Sequence, residues 1–165
     1  MAIVKAKHPR NIPSSYYKPI GQLIVRWGFT ELYLQSIIWH VWGIKDPKVA
    51  RLLTWNTNAV DKVKLFGALP PRWIKDQKQQ KELKEIHAEA ERLRQERNHL
   101  AHGVWGYIPG KRKEMLMFYL RDIDRRIKPK AFRPNVMEVR KLASDIDALN
   151  ARLKLFHRAL GAPPP

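Results

Sequence analysis

Apolar residues recur at intervals of three and four along most of the chain, the spacing that places them on one face of an α-helix. In the first such stretch, residues 18–44, they are Ile20, Leu23, Ile24, Trp27, Leu34, Ile38 and Val41. In the last stretch, residues 135–160, they are Val139, Leu142, Ile146, Leu149, Leu153, Phe156 and Leu160. The pattern therefore predicts two long amphipathic helices, one towards each end of the chain.

Start and stop signals predict two shorter helices between them. Asp46 and Pro47 form a typical pair of N-cap and first-turn residue, so a second helix should run to about residue 55. Thr57 or Asn58 can cap a third helix, which should end near Gly67 and the two prolines that follow.

The middle of the chain predicts a long fourth helix followed by a β-hairpin. Residues 76–102 are rich in Glu, Lys, Gln and Ala, and Gly103 is typical of the position just past a helix C-terminus. Strand-forming residues occupy 104–108 and 115–120, on either side of a basic turn at 109–113. We therefore expect an all-α fold, a helical bundle of four to five helices with one small β-hairpin after the fourth helix.

One domain with a short extension at each end is expected. Residues 1–17 are basic and contain two prolines, which favours an extended N-terminal arm. Residues 18–160 hold the predicted helices, and residues 161–165 are a proline-rich tail. The longest apolar stretch, residues 32–44, is too short and too interrupted to span a bilayer, and the N-terminus lacks the apolar run of a signal peptide. We therefore expect a cytoplasmic protein that does not insert into membranes.

Charge narrows the choice of partner. The chain has 32 Lys and Arg against 15 Asp and Glu, a formal net charge of +17. Nucleic acid is the first candidate, because Lys and Arg contacts with phosphate release bound counterions. An anionic membrane surface is disfavoured because the basic residues are spread along the chain instead of forming one helical face. A basic protein that binds no polyanion is the alternative.

Two charged residues interrupt helix faces that are otherwise apolar. The spacing of Leu93 and Leu100 predicts an apolar residue at position 97, where the sequence has Arg97, and the first helix has Glu31 at a similar place. A buried charge without a partner costs several kcal/mol, so each needs a partner or access to water. We expect Glu31 and Arg97 to meet across the two helices. The alternative is that each side chain reaches solvent by bending along its helix.

Arg97, Asn98 and His102 are expected to share one side of the end of the fourth helix. Helical residues are about 100° apart, so the three fall within an arc of about 140°. The negative end of the helix dipole favours a protonated His102, which suits proton transfer near neutral pH. A guanidinium can hold a phosphate, and an imidazole can take the proton of a 2′-hydroxyl. These are the groups needed to cleave RNA without a metal or other cofactor.

The segment 97–103, Arg-Asn-His-Leu-Ala-His-Gly, resembles the signature of the HEPN superfamily, an Arg, a polar residue, three or four variable residues and a His near a helix end. The predicted helical plan is similar as well. The same Arg–His spacing occurs at Arg94–His99 and Arg152–His157, but without the small polar neighbour after the arginine. The motif is therefore specific to one place in the chain.

The resemblance implies a metal-independent endoribonuclease that leaves 2′,3′-cyclic phosphate ends, with a composite active site in a homodimer. It implies that Arg97 and His102 are the catalytic pair, Asn98 a positioning residue and Glu31 an acidic partner. It also implies a toxin or antiviral effector, with an antitoxin or regulatory protein as a further partner. The alternatives are a non-catalytic RNA- or nucleotide-binding module and a structural or regulatory dimer.

Four residues near the motif are candidates for RNA binding: His99, Lys111, Arg112 and Lys113. The last three form the tip of the predicted hairpin, where a solvated turn is the alternative. His99 and His102 are three residues apart and could share a metal ion. Two ligands without an acidic cluster make a weak site, so no metal is expected.

Overall fold

Five helices make up most of the computed structural model, which describes residues 13–54, 56–70, 73–74, 76–102, 104–108, 111–119, 130–132 and 135–162. For residues 104–132 it describes the backbone of the strands alone. The helices are α1 (Ser14–Val41), α2 (Pro47–Thr54), α3 (Ala59–Gly67), α4 (Gln77–His102) and α5 (Val136–Ala159). The predicted fold of four to five helices is thus confirmed.

Side-chain caps explain where three of these helices begin. Asp46 Oδ1 accepts a hydrogen bond from the backbone N–H of Lys48 at 2.7 Å, and Asn58 caps α3 in the same way, as predicted. At the start of α5, Asn135 and Glu138 exchange backbone-to-side-chain bonds of 3.0 and 2.8 Å, a capping box. Each cap satisfies N–H groups that have no acceptor within the helix.

The start of α1 differs from the prediction. The helix begins at Ser14, where an extended arm was expected up to residue 17. Pro13 is compatible with this start, because its carbonyl accepts from Tyr16 N at 2.9 Å in the first turn. Pro19 removes one internal hydrogen bond, and the helix continues through it. The rest of the predicted arm, residues 1–12, lies outside the described residues.

Three strands lie between α4 and α5 in the sequence: β1 (Val104–Ile108), β2 (Lys111–Tyr119) and β3 (Lys130–Phe132). They form an antiparallel sheet in the order β1-β2-β3, in which Val104 is opposite Phe118. The expected two-stranded hairpin is therefore not the arrangement found. The second strand begins at Lys111 instead of Met115, because pairing with a neighbouring strand outweighs the weak strand preference of charged residues.

The chain divides into two compact units. Unit 1 consists of Met1–Ile24 and Glu96–Ala143, and unit 2 of Val25–Gln95 and Ser144–Pro165. The single domain predicted over residues 18–160 stays a prediction. No described helix is both long and apolar enough to cross a membrane.

Buried apolar side chains occur in both units. Among the described side chains of unit 1 they are Pro19, Leu23, Leu100, Val139, Leu142 and Ala143. In unit 2 the largest fully buried side chains are Trp27, Phe66, Leu34, Ile37, Ile38, Ile74, Ile86, Leu93, Ile146 and Leu149. Most of these residues belong to the predicted apolar faces of α1, α4 and α5. Ile24 is an exception, because it was predicted on the apolar face of α1 and is 39% exposed.

Candidate functional site

The candidate site lies in the last two turns of α4, within unit 1. Arg97, Asn98 and His99 are half-buried, Leu100 is buried, and His102 is exposed as the final residue of the helix. The imidazole of His102 is therefore accessible to a large ligand. The arginine reaches the same helix end from a more protected position.

Arg97 interrupts an apolar helix face, as the spacing predicted. Leu93 is fully buried, Leu100 is 6% exposed, and the Nε atom of Arg97 is shielded from solvent. Arg97 Nη1 donates a hydrogen bond to Asn98 Oδ1 at 2.8 Å. This contact helps to orient the guanidinium. Since it uses the amide oxygen, Asn98 can offer a ligand its amide N–H groups.

The other two arginines with a histidine five residues later are held by carboxylates. Arg94 makes two hydrogen bonds to Glu91, of 2.6 and 2.7 Å, and these hold the pKa of Glu91 at about 2. Arg152 donates to Glu82 and Glu85, each at 3.0 Å. Both guanidiniums therefore belong to ion pairs with carboxylates of the helices.

Glu31 forms a half-buried ion pair that was not predicted from the sequence. Its Oε2 lies 2.8 Å from Nζ of Lys62 in α3, and the two side chains are 24% and 13% exposed. Both residues belong to unit 2. The charge at position 31 thus has a partner, as the cost of burying it requires. The pairing of Glu31 with Arg97 stays a prediction.

Polar side chains also link α1 to α5 within unit 2. The hydroxyl of Thr30, which is fully buried, donates to Asn150 Oδ1 at 2.7 Å, and Asn150 Nδ2 donates to the backbone carbonyl of Arg26 at 2.9 Å. Arg26 also pairs with Asp147 at 2.9 Å. Thr30 follows Trp27 by three residues and so occupies an inward position of α1, and this polar residue on an apolar face is the sequence signal for the network. The network provides hydrogen-bond partners for buried polar groups.

A serine–histidine pair lies near the end of α5. His157 is 2% exposed, and its Nε2 shares a hydrogen bond of 2.8 Å with the hydroxyl of Ser36. Burial lowers the pKa of His157, and the nearby His40 lowers it further. The Nε2 N–H of His40 donates to the carbonyl of Leu160 at 2.9 Å, so it satisfies the end of α5. The pair links α1 to α5 within unit 2 and gives the buried imidazole a hydrogen-bond partner.

The side chains of Lys111, Arg112 and Lys113 lie outside the described residues, as does Gly103. Their proposed RNA contacts therefore stay predictions. Among the residues that the structure describes, no three or more His, Asp or Glu side chains are placed to hold a metal ion.

Comparison with protein-family models, with curated proteins and with solved structures gives no match. The likeness to the HEPN superfamily consequently remains a resemblance carried by residues 97–103.

Proposed function

We propose that the protein is a metal-independent endoribonuclease whose active site is built around Arg97, Asn98 and His102. The observation that carries the proposal is the 2.8 Å hydrogen bond from Arg97 to Asn98. Asn98 lies four residues before His102, the exposed last residue of α4. An oriented cation, an amide and an accessible imidazole are the groups that cleavage of a phosphodiester requires.

In this reaction an imidazole takes the proton of a 2′-hydroxyl, whose oxygen attacks the adjacent phosphorus. The bond from phosphorus to the 5′-oxygen breaks, and that oxygen takes a proton from a protonated imidazole. The products are a 2′,3′-cyclic phosphate and a 5′-hydroxyl. Arg97 stabilises the charge that grows on the phosphate oxygens.

One imidazole cannot act as base and acid in the same step. We therefore propose a homodimer in which two copies of His102 share one composite site. The net charge of +17 supports RNA as the substrate. His99, Lys111, Arg112 and Lys113 are proposed to hold the RNA.

The resemblance of residues 97–103 to HEPN proteins supports the same function. On that basis Glu31 is proposed as the acidic partner of the site. A cytoplasmic toxin or antiviral role, with an antitoxin or regulatory partner, belongs to the proposal on the same ground.

The test is cleavage of mixed-sequence RNA in excess chelator, with detection of 2′,3′-cyclic phosphate ends. Arg97→Ala and His102→Ala should each lower the rate by about 100-fold or more, the usual effect of losing charge stabilisation or a proton-transfer group. The matched control is Arg94→Ala, which removes the same charge one turn earlier and should cleave within a few-fold of wild type. Circular dichroism checks that each variant is folded.

Equal activity in all four proteins would refute the proposal and would indicate a contaminating nuclease. RNA binding that needs Arg97 but yields no product would support the non-catalytic binding module. Absence of both binding and cleavage would leave the structural or regulatory dimer. Sedimentation of the wild-type protein tests the homodimer separately.

A further inference from the structure

A surface cavity of about 510 Å³ lies in unit 1, between the start of α1 and the start of α5. We call it the α1–α5 cavity. Its lining residues are Ser14, Ser15, Lys18, Pro19, Gln22 and Arg140. Ser14, Lys18 and Gln22 are four residues apart in sequence, so they follow one side of α1. Pro19 is buried beneath them.

The lining of the α1–α5 cavity is cationic. Its described residues include Lys18 and Arg140 but no Asp or Glu. Neither cation forms an ion pair with any residue that the structure describes, and Arg140 Nη1 makes a long contact of 3.9 Å with Met137 Sδ. This contrasts with Arg26, Lys62 and Arg152, which are all paired with carboxylates. Two cations with no carboxylate partner in the described part of the chain therefore line one concave surface.

A carboxylate that could oppose this charge, Glu138, belongs to the same turn of α5 but does not line the cavity. Its Oε2 accepts from the backbone N–H of Asn135 at 3.0 Å, so the capping box holds it at the helix start. Burial raises the pKa of Tyr16, and the negative charge of Glu138 raises it further. The capping bond thus holds the carboxylate at the start of α5, and Glu138 is not among the described lining residues.

The neutral residues of the lining are also suited to an anion. The hydroxyls of Ser14 and Ser15 and the amide of Gln22 are hydrogen-bond donors, and phosphate oxygens accept from such groups. A volume of about 510 Å³ exceeds what a free phosphate needs and lies in the range of pockets for small organic ligands. The cavity is therefore large enough for a nucleotide-sized ligand.

From the convergence of Lys18, Arg140 and the serine hydroxyls on this cavity, we propose that it binds the phosphate group of a nucleotide-sized ligand. The ligand is either a free nucleotide or one unit of an RNA chain. The proposal does not depend on cleavage at Arg97 and His102, because it concerns different residues and binding alone.

The experiment titrates the full-length protein, at constant ionic strength, with three probes. These are adenosine 5′-monophosphate, adenosine, and a 2′-O-methyl oligonucleotide that has no terminal phosphate and cannot be cleaved. Calorimetry gives the affinity, and amide chemical shifts locate the ligand at residues 14–22. Because each cation contributes a charge-assisted contact, Lys18→Gln/Arg140→Gln should weaken binding by at least about tenfold.

The control is Lys154→Gln/Arg158→Gln, which removes two exposed charges of α5 outside the cavity. It should bind each probe within about twofold of wild type once salt is held constant. A second variant, Gln22→Glu, adds a carboxylate to the lining while keeping both cations, and should also weaken binding.

The probes distinguish the two sources of phosphate. Tight binding of adenosine 5′-monophosphate with none of adenosine supports a free nucleotide, and binding of the oligonucleotide alone supports an RNA backbone. Equal losses in the cavity and control variants would show general attraction to a basic protein and would overturn the proposal. Failure of every probe to saturate, or shifts confined to residues outside 14–22, would overturn it as well.

Discussion

Gly67 is a position where the structure allows almost no side chain. It is the last residue of α3, and a Cβ atom built on it would lie 2.5 Å from Cδ2 and 2.7 Å from Cε1 of the His87 ring, and closer still to Nε2. Its backbone does not have the positive φ that favours glycine, so an alanine could adopt the same backbone conformation without strain. The contact with the His87 ring is the obstacle to a side chain at this position. Gly67→Ala therefore tests the packing of α3 on α4 alone.

The size of the effect follows from two opposing terms. Carbon atoms pack best at about 3.5–4.0 Å, so the new methyl group overlaps the ring by about 1 Å. Overpacking of this kind costs about 1–3 kcal/mol, whereas replacing a helical glycine by alanine stabilises by about 0.5–1 kcal/mol. We expect Gly67→Ala to lower the free energy of unfolding by about 1 kcal/mol. For a chain of this size that corresponds to a fall in Tm of about 2–4 °C.

Gly28→Ala is the matched control, measured in the same urea-unfolding assay by circular dichroism. Gly28 lies inside α1, and a Cβ atom there would have no neighbour within 4 Å. The substitution should therefore stabilise the protein by about 0.5–1 kcal/mol. Both changes should shift the urea midpoint with little change in slope.

His87→Ala completes the cycle, because it removes the ring that Gly67→Ala would strike. Gly67→Ala/His87→Ala should be more stable than the sum of the two single changes predicts, by about 1 kcal/mol or more. Strict additivity would refute the reasoning, and so would a Gly67→Ala protein that gains as much stability as Gly28→Ala. Either result would mean that the His87 ring does not pack against α3.

Three further predictions concern charged side chains. Lys62→Met leaves the half-buried carboxylate of Glu31 without its partner. The free energy of unfolding, measured in urea, should therefore fall by about 1–3 kcal/mol. Adding Glu31→Gln should recover part of the loss, and no recovery would contradict the pairing. Because burial lowers the pKa of His157 below 6.5, its neutral form stabilises the fold fully above about pH 6.5 and less as the pH falls. As the pH is lowered below 6.5, the Tm of the His157→Gln protein should therefore fall less steeply than that of the wild type. Identical slopes of Tm against pH in the two proteins would contradict this. The contacts with Arg94 hold the pKa of Glu91 at about 2. They should therefore stabilise the folded protein fully above pH 4.5, and this stabilisation should be lost as the pH falls towards 2. Since the side chain of Glu91 is 35% exposed and water screens its charge, Glu91→Gln should change the free energy of unfolding at acid pH by less than about 1 kcal/mol.

The helices were predictable because periodicity and caps act locally. Trp27, Leu93 and Leu149 belong to faces whose spacing specifies burial, and all three are buried. Asp46 and Asn58 are caps that satisfy N–H groups of their own helix, whatever lies elsewhere. Such features need no knowledge of tertiary contacts.

The parts that were not predicted depend on distant contacts. Nothing in the local sequence identifies Lys62 as the partner of Glu31, because the two are 31 residues apart in different helices. The network from Thr30 to Asn150 is equally non-local, since it joins residues 120 positions apart. The added strand at Lys130–Phe132 pairs with β2 across a long connection, and no turn signal marks it.

The two interrupted helix faces have different chemical consequences. The ion pair of Glu31 with Lys62 joins opposite charges at 2.8 Å, so it neutralises a charge in the interior. The contact of Arg97 with Asn98 joins a cation to a neutral amide, and it helps to fix the direction of the guanidinium. An orienting contact of the second kind is what binding a phosphate requires, because a preorganised donor loses little side-chain entropy when the anion arrives. The side chain of Asn98 is thus as decisive for the proposed site as the cation beside it, and Asn98→Ala should weaken cleavage by misdirecting an arginine that is still present.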